Sequence, residues 1–556
     1  MKKKALALFL ATAMTLSLAA CGSSTGSTTA SAEPEASESD EGAAGGTEIE
    51  VTQSGGSDEE SATFDRKTKV TATVISLDTN DPYNISGAIV RDFLIYEPLF
   101  AFNSDNTGLE GVIAKEWTMD GTGVDVTIYD YVYDSEGNHI TAEDVAFSYN
   151  AFVEAGVNTG SKYIASAEAT GEYDVHIEYT EDVYPLLIAS SVRVPIVSEA
   201  AYSAPDADFV AHPIGTGHYV CTAFSAGQSG VYEKRDDHWQ TDESLVNYAY
   251  KANVDVVELD VINETAQIQT GLETGNLQIG QITATISAAF ESNPDIAVTV
   301  LNGQYNHMLA LNCYQGVLSE SKELREAILY CINSEELAIA CTGGTGSKPY
   351  SIVNGENIHG YQKAWEDEDY YDYDLEKARE LVKEAGYDPD DTGITLKWLG
   401  SNKEDVILCS QAIQAYLSQI GIGLEINNLD NTTYMAQRNA YDESAWDLAF
   451  TDGVPKGDFV QGINVSVNNT QYALGNMYGV NDDTLQELLL TARYDETDEN
   501  VDALHQYIKE GAGLYGMYVD YNFWGHHKDL QIVTGNDGEI SAGASILGAD
   551  YDVFVD

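Results

Sequence analysis

Residues 111–152 read GVIAKEWTMDGTGVDVTIYDYVYDSEGNHITAEDVAFSYNAF, and this run restricts the fold more than any other in the chain. Val124, Val126 and Ile128 alternate with Asp125, Thr127 and Tyr129, the two-residue period of a half-buried strand. Ser135 to Gly137 supplies a turn. Thr141 then starts a helix: its hydroxyl suits the free amide of Asp144, and the Asp144 carboxylate suits the positive end of the helix dipole. Val145, Tyr149, Phe152 and Val153 form one apolar stripe at helical spacing. The unit is strand, turn and capped helix, with Trp117 expected to be buried just upstream.

The same alternation and stripes recur along the chain. Val70, Ala72 and Val74 predict a first strand, and residues 89–100 predict a helix leading to Glu97-Pro98-Leu99. Val175, Ile177 and Tyr179 predict another strand, and so do residues 254–261. A helix is expected over 264–274 with Gly275 as its stop. Helices follow over 322–329, after Ser334 as a cap, over 373–386, and over 405–420. Strands at 394–398 and 424–426 flank that last helix, the signature of a parallel crossover. A chain of 556 residues exceeds one ordinary core, so two or more lobes are expected.

The charge balance excludes one class of partner. With 90 acidic and 27 basic residues the net charge is -63, so no nucleic-acid partner is expected, because phosphate recognition needs a basic footprint. The N-terminus points outside the cell. Lys2, Lys3 and Lys4 precede an apolar run from Ala5 to Leu18, which reads as a cleaved leader, 1–20. Leu18-Ala19-Ala20-Cys21-Gly22 resembles a bacterial lipobox, with diacylglycerol carried on Cys21 and no other membrane anchor. Residues 22–62 hold only Ile49 and Val51 as larger aliphatics and no Lys or Arg. Such a segment buries too little to order itself and reads, with Cys21, as a flexible acidic tether over 21–62. The remaining cysteines, Cys221, Cys313, Cys331, Cys341 and Cys409, are odd in number and show no zinc spacing.

Several motifs, in order, resemble the family 5 extracellular solute-binding proteins, the receptors of peptide, dipeptide and nickel ABC importers. They are Ala114-Lys115-Glu116-Trp117; Thr141-Ala142-Glu143-Asp144-Val145-Ala146-Phe147-Ser148; His212-Pro213-Ile214-Gly215-Thr216-Gly217-His218-Tyr219; Cys331-Ile332-Asn333-Ser334-Glu335-Glu336-Leu337; and Tyr373-Asp374-Leu375-Glu376-Lys377-Ala378. His218 stands where the family commonly has Pro, and Asn276-Leu277-Gln278-Ile279 only partly matches. The resemblance implies an α/β, two-lobed periplasmic-binding-protein-like fold of the large peptide-binding type, with mixed sheets and a hinge. The first lobe is expected over 63–304 and 525–556, with a subdomain near 108–195, and the second over 305–524. It further implies a monomeric extracellular receptor without enzymatic activity or cofactor, serving a permease and an ATPase.

The ligand implied first is an oligopeptide or dipeptide. Peptide members anchor the ligand amine on an Asp after a strand that corresponds here to Trp446-Asp447-Leu448-Ala449-Phe450. The following Thr451-Asp452-Gly453-Val454-Pro455-Lys456-Gly457-Asp458 lacks the family's Gly-Trp step and shifts its Asp. Asp458 is the first candidate anchor and Asp452 the second; their plainer role is that of two solvated loop acids. The departure keeps an oligosaccharide or a nickel complex open. Tyr305, Trp239, Trp446 and Tyr521 are aromatic candidates for the cleft, each with core packing as its plainer role. Tyr83 and Ser86, in the loop after the first strand, are weaker ones. The Gly-rich loop 343–348 lacks nucleotide-binding spacing. His526-His527 is the only adjacent His pair, and on a strand the two point to opposite faces, so no metal ligands are assigned. A secreted hydrolase and a surface adhesion protein remain as rivals from other classes, although no internal repeat supports the second.

Overall fold

The computed structural model describes residues 66–555 apart from 85–91, 105–107, 158, 181–182, 184–187, 189–192, 314, 356–357, 431–432, 435, 438–445, 454–457, 468–481 and 535–539. The leader, Cys21, the acidic tether and Ser86 lie outside the described residues.

One mixed sheet runs through the molecule. Its strands, in chain order, are β1 (Lys67–Val74), β2 (Tyr219–Ser225), β3 (Ser229–Lys234), β4 (Val256–Val261), β5 (Ile279–Ile282), β6 (Ile296–Leu311), β7 (Thr395–Ser401), β8 (Gly423–Leu429), β9 (Leu448–Gly453), β10 (Leu514–His527) and β11 (Phe554–Val555). Across the sheet the order is β8-β7-β9-β6-β10-β5-β1-β4-β3-β2, with β11 on β1. β1 lies parallel to β4 and β5, and β7 parallel to β8 and β9. The β7–β8 crossover is the helix Glu404–Ser418, which buries Val406, Cys409, Ile413 and Leu417.

β6 and β10 form a long antiparallel ribbon, from Ile296 opposite His527 to Ala310 opposite Leu514, with an irregularity between Leu301 and Tyr305. One end of the ribbon is extended by β5, at 523–526 of β10, and the other by β9, at 306–311 of β6. The apolar cores divide along it. One core gathers Val70, Leu259, Ile279 and Trp524; others gather Leu309, Ile328, Leu417 and Tyr518, and Met308, Phe459 and Leu504. The two-lobed form follows: two packed bodies share a pair of strands.

The opening run folds into a separate four-stranded antiparallel sheet, ordered Ala114–Asp120, Gly123–Ile128, Asp174–Tyr179, Ile164–Ala169. Val124, Val126 and Ile128 face its core, none above 2% exposed. The helix Ala142–Ala155 packs on it through Val145, Tyr149 and Phe152, each worth about 1.5–3 kcal/mol when fully buried. Asp144 closes the capping box, accepting the Thr141 amide at 2.8 Å and also the Glu199 amide at 2.9 Å.

Three local expectations change. Trp117 is half-buried, edge-on to Phe100 at 5.2 Å between ring centroids. Within 89–100 the described helix is only Asp92–Ile95, and Phe100 opens a short strand paired with Leu109–Gly111. Pro98 disfavours helical backbone at Glu97, which ends the turn early. Asn333, not Ser334, caps the helix Ser334–Thr342 through the Glu336 amide at 3.2 Å. Ser334 instead shares a 2.8 Å hydrogen bond with the Tyr515 hydroxyl in the interior. Cys221, Cys313, Cys331, Cys341 and Cys409 are all free thiols. No helix among the described residues is long and apolar enough to cross a membrane.

Candidate functional site

The ribbon positions the site. After the helix Ser334–Thr342, Gly343 and Gly344 turn the chain at φ 69° and 100°, where glycine avoids the Cβ penalty. The loop then runs along β10. Ser347 exchanges backbone hydrogen bonds with Val519, at 3.1 and 3.0 Å. A Cβ on Gly346 would sit 2.7 Å from the Val519 carbonyl oxygen, so only glycine permits this approach. Farther on, Asn354 accepts the amides of Tyr350 and Ser351, at 2.7 and 3.0 Å, and donates its own amide N–H to Asn306 of β6 at 3.0 Å.

Between this loop, the helix and the ribbon lies a half-open cavity of about 640 Å³, within the usual size of small-ligand sites. Tyr350, Tyr361 and Tyr521 supply aromatic walls, and Glu335, Glu366 and Lys348 supply charge of both signs. A smaller cavity of about 280 Å³ adjoins it, sharing Glu335 and Lys348. Tyr521 is fixed by a 2.7 Å hydrogen bond between its hydroxyl and that of Ser347. Lys348 ion-pairs with Asp372 and lies 5.3 Å from the Tyr350 ring centroid. Beside Tyr521, burial pushes the Asp520 carboxyl above the usual carboxylate range.

The sequence candidates separate into two groups. Tyr305, Asp452 and Tyr521 fall at neighbouring levels of three adjacent strands, midway along β6 and β10 and near the end of β9: Tyr305 pairs with Asp520, and Asp452 with His307. The other four are interior. Tyr83 is 4% exposed, and its hydroxyl donates to the Pro195 carbonyl at 3.3 Å. Trp239 donates its indole N–H to buried Glu97 at 2.7 Å. Trp446 packs in the core with Met308, Phe459 and Leu504. Asp458 is 1% exposed and caps the helix Phe459–Val467, accepting the Gln461 amide at 2.6 Å.

Sequence reading passed over Glu335, Lys348, Tyr350, Tyr361 and Glu366. Their one visible signal was the Gly-rich turn running into Lys348-Pro349-Tyr350. It also passed over two clusters of donor side chains drawn from distant parts of the chain. Glu97, His218 and His238 form one, with Glu97 and His238 3.2 Å apart and the two imidazoles stacked. His359, Asp458 and Glu496 form the other. There burial, and then the facing Asp458 charge, push the Glu496 carboxyl up to about 9.

Comparison with known proteins agrees with this architecture. A model of the bacterial extracellular solute-binding proteins, family 5 (middle), matches residues 108–471. The glutathione-binding protein GsiB of Escherichia coli O157:H7 is 27% identical over 394 residues, covering 66% of this chain and 71% of that protein. Among solved structures, the oligopeptide-binding protein AppA of Bacillus subtilis, in complex with a nonapeptide, superposes with a TM-score of 0.65 at 17% identity, over 87% of this chain and 100% of that one. NikA of Brucella suis, in complex with Fe(III)-EDTA, superposes with a TM-score of 0.69 at 17% identity, over 88% and 99%. With the divided cores, the shared ribbon and the cavity beside it, the match over 108–471 shows that the chain belongs to the family 5 bacterial extracellular solute-binding proteins, the receptors of ABC importers.

Proposed function

We propose that the solute is a zwitterionic peptide, captured outside the cell and passed intact to a permease and its ATPase. One observation carries this reading: the cavity beside the ribbon presents Glu335 and Glu366 together with Lys348, among three tyrosines. Carboxylates suit a terminal ammonium, and a lysine suits a terminal carboxylate. Peptide ligands named for relatives, glutathione for GsiB and a nonapeptide for AppA, support the same class. Tyr305 and Asp452 join Tyr521 as contacts on the second lobe. Tyr83, Trp239 and Trp446 are assigned to packing, and Asp458, the cap of its helix, is set apart from the solute contacts. Closure is a hinge event at the β6–β10 ribbon, with lobe boundaries at 304/305 and 524/525. The lipidated Cys21 and the acidic tether hold a monomer at the outer face of the membrane, and no turnover takes place.

Thermal unfolding of the mature protein with dipeptides, tripeptides and pentapeptides, malto-oligosaccharides and a nickel–histidine complex tests this. Peptides raise the melting temperature, because a ligand that binds only the folded state stabilises it. Lys348→Gln weakens that effect about tenfold or more in affinity. A response confined to sugars or to the nickel complex contradicts the peptide reading. Peptide cleavage products in the same samples contradict the receptor without turnover.

A further inference from the structure

His359, Asp458 and Glu496 come from three separate segments. His359 and Gly360 lie between Gly355 and Tyr361, both of which line the cavity. Asp458 precedes the helix Phe459–Val467, and its backbone makes an isolated parallel bridge with His359. Glu496 links the helices Asp483–Tyr494 and Asp498–Gly511. One Asp458 oxygen caps its helix through the Gln461 amide. The other, Oδ2, is buried, as is Oε1 of Glu496, and neither has a hydrogen-bond partner beyond the carboxyl that faces it. Glu496 Oε2 stands 3.6 Å from His359 Nε2. Gly360 makes room for this approach: a Cβ there would lie 2.8 Å from Glu496 Oε1. One donor atom from each of the three side chains lies within 4.8 Å of the other two.

A buried carboxylate oxygen without a partner is costly, and two facing one another are more so. Among the described residues no Lys or Arg reaches either carboxylate. We propose that His359, Asp458 and Glu496 hold one divalent transition-metal cation of the zinc class, which ties the cavity wall to the two helical segments behind it. One imidazole nitrogen and two carboxylate oxygens form a borderline donor set, suited to such a cation rather than to calcium or magnesium. Bonds of about 2.0–2.2 Å put tetrahedral ligand atoms about 3.4 Å apart, close to the His359–Glu496 separation. The cation is structural. It pins residues 358–361, which carry Tyr361 of the cavity, so metal loading strengthens solute binding by fixing that wall. The site stands whatever solute the cavity takes.

The test uses the mature protein stripped with EDTA and then titrated with Zn2+ alone, followed by calorimetry, elemental analysis and thermal unfolding. Wild type binds one Zn2+ per chain at this site, and its melting temperature rises by about 5 °C or more. Asp458→Asn, which keeps an oxygen for the Gln461 amide, loses this binding. Glu496→Gln loses it as well, and His359→Gln weakens it at least tenfold. Far-UV circular dichroism verifies that each variant is folded, and Asp458→Asn decides if Glu496→Gln is not. His238→Asn, in the other donor cluster, leaves the binding unchanged. Absence of Zn2+ binding by folded wild type overturns the proposal, and shows that the two carboxyls simply share a proton. Binding that survives in Asp458→Asn and Glu496→Gln, or that is lost only in His238→Asn, overturns it too.

Discussion

His505 is 3% exposed, its ring stacked on Trp365 at 4.1 Å between centroids. Burial, and then the Lys509 charge, lower its pKa to about 4, against smaller opposing effects of Glu368 and Asp502. The unfolded chain therefore takes up a proton near pH 6.5 that the folded chain refuses until about pH 4. This histidine costs no stability above that window, and stability falls as the pH drops through it, by about 3 kcal/mol in all. The melting temperature of His505→Gln is predicted to fall less steeply than that of wild type between pH 6.5 and 4; parallel curves contradict the assignment. At this scale little of the site was legible in the sequence. Asp458 drew notice because it follows the Trp446 strand, but nothing local marks His359 or Glu496 as its neighbours. Among 90 acidic residues, Asp458 and Glu496 stand out by the buried oxygens their carboxyls turn toward each other, and that is set by packing across the chain.

At the scale of elements, local signals were sufficient wherever they were complete. The helix Ala142–Ala155 begins where the Thr141 and Asp144 spacing places it, and Gly275 takes positive φ at the stop read for it. Asp144 does more than the spacing implied, because it also holds the Glu199 amide. Asp144→Ala is predicted to cost about 1–3 kcal/mol in chemical denaturation, through the lost cap and the unpaired amides. Asp144→Asn, which keeps an acceptor oxygen, costs less. A loss equal in both variants places the effect in charge rather than in hydrogen bonding. The helix expected over 89–100 stops, among the described residues, at Ile95, because Pro98 disfavours helical backbone at Glu97. Ser334 and Asn333 are both good caps, and only packing against Tyr515 decided between them.

For the whole molecule, motif order identified the fold without locating the cavity. The ribbon was visible only in part. Residues 296–301 of β6 are largely half-buried and give a weak period. The cavity was missed because its walls come from a loop and a strand far apart in the chain, brought together by the close approach at Gly346. The central claim is that this receptor holds one peptide beside the ribbon. Native mass spectrometry of the protein, mixed with a pentapeptide library, maltopentaose and a nickel–histidine complex at equal concentrations, tests it most directly. The account predicts a one-to-one complex whose added mass is that of a peptide, diminished in Lys348→Gln. A complex with the sugar or the nickel compound alone, or no complex at all, contradicts it.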